Sequence, residues 1–157
     1  MYQLEVKKYL IENMFHPKNG WNVLVDIDAM EKGKGNQQKP EKIERAKIAE
    51  KGIIGLGAKI GTHPIYGRVD VVASHPKYGV YIIEAEGKSS KQKDLAIYSA
   101  LGQVIRQMER NESNLTFAIA VPDQKKWEFQ ISKIPNRVKD ILKMECFLVS
   151  EHGVRRI

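Results

Sequence analysis

Two acidic residues of this chain stand inside otherwise apolar stretches. Asp70 lies within Val69-Asp70-Val71-Val72, and Glu84 closes the run Val80-Tyr81-Ile82-Ile83. Aspartate is a poor strand former. Burying an unpaired carboxylate is costly, so such a group is normally paired, metal-bound or protonated. Strand alternation puts Glu84, Glu86 and, further on, Lys88 on one face. A hairpin turning around Pro76–Gly79 would bring Asp70 near Glu84. Carboxylates that converge without matching cations form an oxygen-ligand site. Such a site suits Mg²⁺ or Mn²⁺, hard ions that take a few carboxylates plus water and phosphate oxygens. The opposing reading pairs Asp70 with Arg68 or another base and leaves Glu84 at an exposed strand end. Spacing alone keeps both open.

Other reactive chemistries find less support. The one cysteine, Cys146, sits in the apolar stretch Met144–Val149 with nothing beside it to lower its pKa, so it reads as an inert core thiol. A single thiol forms no internal disulfide, and a reducing cytoplasm is its natural setting. None of the four histidines is spaced from another His or from Cys146 as a zinc ligand would be.

The composition of the 157 residues, 42% hydrophobic and 29% charged, is that of a globular chain, and the length suits a single domain over 1–157. No apolar run approaches the roughly 20 residues of a membrane helix. The opening MYQLEVKKYLIENMF reads as an amphipathic helix rather than a signal peptide. The net charge of +7 draws polyanions, of which nucleic acid is the commonest in a cytoplasm.

The elements that must position the acids follow from periodicity. A helix is expected over 2–14, a strand over 21–27, a mobile polar loop over about 31–40, and a helix over 41–51 opened by Pro40. Strands are expected over 53–61, 68–73 and 80–86, the last buried and central. A helix over 94–110 carries Leu95, Tyr98, Leu101, Ile105 and Met108 on one stripe. A strand over 115–121, a helix over 135–144 and a strand over 146–149 follow, and the tail from Gly153 suits a short edge strand. A long helix between buried strands implies a crossover, and so an α/β fold with a mixed sheet covered on both faces.

Three segments carry a resemblance. Gly67-Arg68-Val69-Asp70-Val71-Val72-Ala73, then Ile82-Ile83-Glu84-Ala85-Glu86-Gly87-Lys88, then Ala100-Leu101-Gly102-Gln103 resemble, in that order, the signature of the PD-(D/E)xK nuclease superfamily. The likeness spans about residues 40–121. It implies a restriction-endonuclease-like αβββαβ core and Mg²⁺-dependent hydrolysis of phosphodiester bonds in nucleic acid, with DNA the expected substrate. Asp70 and Glu84 become metal ligands, Glu86 a further ligand or the group that orients water, Lys88 the stabiliser of the scissile phosphate, and Gln103 a hydrogen-bond partner of a carboxylate or the nucleic-acid backbone. Lys88, Lys91, Lys93 and Arg106 become backbone-holding cations. Members often act as dimers, so a homodimer is open.

One departure matters. If Glu84 is the second acid, Glu86 occupies the place where the family usually has lysine, and Lys88 is displaced by two positions. In the other register Glu86-Gly87-Lys88 is itself the acid-x-Lys triplet. The first is preferred, because four apolar residues lead into Glu84. The same departure admits a catalytically inactive nucleic-acid-binding module, or an interaction subunit, with the same fold.

Overall fold

The computed structural model describes residues 1–33, 39–88, 92–109 and 113–157. In chain order the elements are α1 (Gln3–Asn13), β1 (Asn22–Val25), α2 (Pro40–Gly55), β2 (Lys59–Ile60), β3 (Val71–His75), β4 (Gly79–Ala85), α3 (Lys93–Gln107), β5 (Leu115–Pro122), α4 (Lys125–Ile131), α5 (Asn136–Ile141), β6 (Met144–Ser150) and β7 (Gly153–Arg156), with one 3-10 turn at Pro17–Asn19. The strands form one mixed sheet in the order β2-β1-β3-β4-β5-β6-β7. Strand β3 pairs antiparallel with β1 and β4, while β5 runs parallel to β4 and β6.

Alternation along the central strands sorts the core into two layers. Tyr81, Ile83, Ala85, Ala118, Ala120 and Phe147 point to the face covered by α1 and α2. Ile82, Ile119, Val121, Cys146 and Leu148 point to the other, covered by α3 and α4. A sheet covered on both faces has no solvated side, which is why β4 and β5 read as unbroken apolar runs. The α/β class and the doubly covered mixed sheet are therefore as the sequence implies.

Several boundaries differ. Residues 53–55 finish α2, and only Lys59–Ile60 is extended, so the expected strand over 53–61 shrinks to a two-residue edge. Strand β3 starts at Val71, so Asp70 lies just before the ladder, not inside it. Helix α4 was not expected. It docks through Trp127 and Ile131, whose i,i+4 spacing is its sequence signal.

The face of α3 is a further correction. The helix buries Ala96, Ile97, Ala100 and Val104. Leu95, Tyr98 and Ile105, expected on the core stripe, are at least half exposed. Close packing against β4 and β5 favours the small side chains. Residues 34–38 of the expected mobile loop lie outside the described residues, and its first member, Glu31, is buried.

Candidate active-site cleft

The β3–β4 hairpin brings the two acids together. Its register pairs Val71 with Ile83, so the next position on each strand sets Asp70 opposite Glu84. The Asp70 carboxylate lies close enough to favour the neutral form of Glu84. Glu84 is 4% exposed. Burial, and then the charge of Asp70, push its carboxyl up to about 9. Glu84 therefore carries a proton at neutral pH.

Asp70 is the hub of the site. Its Oδ2 accepts the Ala85 amide at 2.8 Å and the Gln3 side-chain amide at 3.2 Å. Its Oδ1 meets the Lys7 ammonium at 2.7 Å. The base that sequence offered as its partner, Arg68, turns instead to Asp26, with Nε 3.0 Å from Oδ2.

Lys7 is the functional residue that the sequence reading missed. It is fully buried on α1, and its ammonium has three oxygen partners: Asp70, Glu31 Oε1 at 2.6 Å and the Asp26 carbonyl at 2.7 Å. Of these contacts, the one to the Asp26 carbonyl is a hydrogen bond and the other two are ion pairs. Burial opposes its charge, yet the carboxylates of Asp70 and Glu31 overcome burial and hold its pKa above the ordinary lysine value. Burial raises the Glu31 carboxyl above its usual range, against the pull of Lys7. Glu31 is fixed by a reciprocal pair with Asp28: its amide donates to Asp28 Oδ1 at 2.8 Å, and its Oε2 accepts the Asp28 amide at 2.9 Å. A signal was present. Lys7 falls among Leu4, Leu10 and Ile11 on the buried stripe of α1, where a lysine is as anomalous as an acid in an apolar strand.

Around this cluster opens a cleft of about 860 Å³. Of the sequence-derived residues, Asp70, Glu84, Glu86, Lys88, Gln103 and Arg106 all line it, Gln103 from the exposed flank of α3 beside Ser99 and Gln107. Lys93 lines a smaller neighbouring cavity instead. Lys91 lies outside the described residues. Lys42, Arg68, Lys88 and Arg106 line the cleft together with Asp26, Asp28, Glu31, Asp70, Glu84, Glu86 and Glu109.

Among the described residues no three Asp, Glu, His or Cys side chains converge as a ligand group, so Glu86 lines the cleft without completing a three-acid set. Two adjacent carboxyls remain, and burial keeps one of them, Glu84, protonated. Two oxygen ligands beside open space fit an ion that keeps most of its water, as Mg²⁺ does. Cys146 is buried, its thiol pushed up to about 11 by burial, which suits an inert core position. Compared with known family models, curated proteins and solved structures, the chain shows no match.

Proposed function

We propose that this chain is a metal-dependent nuclease that hydrolyses phosphodiester bonds of nucleic acid, with DNA the expected substrate and Mg²⁺ or Mn²⁺ the expected ion. The observation that carries the reading is the adjacent pair of Asp70 and protonated Glu84 in a cleft lined by both acids and bases. Such a pair exchanges its proton for a metal ion without rearrangement of the backbone. A divalent ion bound there lowers the pKa of its water and neutralises charge developing on the phosphate. The protein's own part is positioning. Gln3, Lys7 and the Ala85 amide hold Asp70 in one orientation. Lys88 and Arg106 face the phosphate, Glu86 orients water, and Gln103 bonds the nucleic-acid backbone. Lys7 supplies a buried positive charge beside Asp70 from a helix.

A second reading keeps the fold and the binding but not the chemistry. It is favoured by the Lys7–Asp70 ion pair, which already neutralises one acid, and by Glu86 at the usual lysine position. Incubating plasmid DNA with the protein, with and without Mg²⁺, separates the two. The nuclease reading expects Mg²⁺-dependent nicking by wild type and none by Glu84→Gln. Retention on DNA that weakens steeply with salt, without cleavage of any DNA or RNA substrate, would establish the binding module.

A further inference from the structure

A second cavity of about 360 Å³ lies against the cleft, and Gly87 and Lys88 line both. The 87–88 backbone is therefore a partition one peptide thick. It is held in place by the Lys88 amide, which donates to the Met1 carbonyl at 2.8 Å, and by Gly87, where a Cβ would strike the backbone of Tyr2 and Gln3. The volume falls at the lower end of small-ligand sites, roughly 300–1,000 Å³.

The lining of the two spaces differs in charge. The cleft mixes acids and bases, whereas among the described residues no carboxylate lines the second cavity. Its basic side chains among the described residues are Arg45, Lys88 and Lys93. Arg45 is committed, with Nε and Nη2 on Glu5 and Nη1 on Glu41. Lys88 and Lys93 form no ion pair among the described residues. Their ammonium groups lie over aromatic rings instead, Lys88 5.6 Å from the centre of Tyr2 and Lys93 5.7 Å from that of Trp127. A ring orients an ammonium without neutralising it. Trp127 is almost wholly buried, so the floor under Lys93 is fixed by the core. Gln124 adds a neutral amide donor to the wall.

We propose that this cavity is a phosphate-binding subsite that takes a phosphate of the same nucleic-acid strand whose scissile bond lies in the cleft. The proposal rests on the nuclease reading for the strand's identity, but the anion chemistry stands on the cavity alone. The Lys93 ammonium, which has no ion pair among the described residues, and the Gln124 amide line a cavity that no described carboxylate lines, and they select a compact anion. The Lys88 ammonium lies over Tyr2, which lines the cleft. Splitting the strand's contacts between two adjoining spaces fixes its register against Asp70 and Glu84.

The experiment titrates inorganic phosphate into the full ¹⁵N-labelled chain without divalent ions. Saturable shifts are expected at Gly87, Lys88, Lys93 and the Trp127 indole. Lys93→Ala should weaken binding about tenfold or more, the loss of one charge-assisted contact, and Lys93→Arg should retain it. Short oligonucleotides carrying a 5′-phosphate, a 3′-phosphate or only hydroxyl ends then identify the source. An end-phosphate preference abolished by Lys93→Ala identifies a terminal phosphate. Equal binding of all three, weakened by Lys93→Ala, identifies an internal diester. Shifts that do not saturate, or binding indifferent to Lys93→Ala, overturn the subsite. Absent phosphate binding with intact Mg²⁺-dependent plasmid nicking removes the subsite alone. Phosphate binding intact with no nicking leaves the subsite and removes the nuclease reading.

Discussion

Lys7 and Asp70 grip each other from opposite sides of the fold: the Nζ at the buried side of α1 lies 2.7 Å from Oδ1 of the residue that leads into β3. The other oxygen of Asp70 is taken by the Ala85 amide at 2.8 Å. With both oxygens held, the carboxylate cannot rotate. A buried ion pair of this kind gives little net stability, but breaking it is expensive.

Lys7→Met should therefore destabilise the fold by about 3–5 kcal/mol, because Asp70 and Glu31 are left buried without their cation. Urea denaturation measures this. Adding Glu31→Gln to Lys7→Met should recover part of the loss, since one of the stranded acids is then neutral. Full stability in Lys7→Met alone would show that the ammonium does not neutralise the cluster.

Stability should depend on pH through Glu84. Its folded pKa, about 9, lies above the ordinary 4.5. The folded state therefore holds a proton that the unfolded chain releases between those values. The contribution of Glu84 is fully present below about 4.5 and is lost as pH rises toward about 9. Thermal melts of wild type should fall across that window, and those of Glu84→Gln should fall less. An ion entering the site should expel the proton, so calorimetry in buffers of different ionisation enthalpy should detect proton release on Mn²⁺ binding near neutral pH.

Glu86→Lys decides the register. With Glu84 as the second acid, the change restores the family's usual residue beside the cleft and should keep or raise Mg²⁺-dependent cleavage. With Glu86 as the essential acid, the same change should abolish it. The rate of nicking of one plasmid substrate by wild type, Glu84→Ala and Glu86→Lys is the measurement. Loss of the metal's contribution should cost on the order of a thousandfold or more.

Gly87→Ala should displace the start of α1, because its Cβ would meet the backbone of Tyr2 and Gln3, which cannot swing aside as a side chain would. The expected cost is about 1–3 kcal/mol. The Gln3 bond to Asp70 should loosen with it. Thermal denaturation gives the first quantity, and amide shifts at Gln3 and Ala85 give the second.

What could be read from sequence follows from how each signal is encoded. Asp70 and Glu84 were legible because an acid interrupts a run of β-branched and apolar residues, and the short connection between their strands fixes their register. Lys7 was illegible in practice because a lysine in a helix attracts no notice. Its anomaly shows only when the stripe through Leu4, Leu10 and Ile11 is drawn. Glu31 stood in a polar glycine-bearing stretch, and nothing local reveals that a distant ammonium will bury it. The face of α3 was misread because large apolar side chains were taken as the core stripe. Helix-to-sheet packing instead selected Ala96 and Ala100, with Ile97 and Val104. The adjoining cavity joins residues from four separate stretches of chain, and no spacing in the sequence announces it.

The bonds of Asp70 also order events in time. Its link to the Ala85 amide spans 15 positions, whereas its link to Gln3 spans 67. Short loops close first, and long-range contacts wait for the entropy of closing the intervening chain. The hairpin is therefore expected to juxtapose Asp70 and Glu84 before α1 brings the ammonium that pairs with Asp70. In that interval the nascent hairpin needs a proton to hold its two acids together. Refolding after dilution from denaturant should accordingly slow as solution pH rises, and the chemistry-bearing corner is the last part of the molecule to become itself.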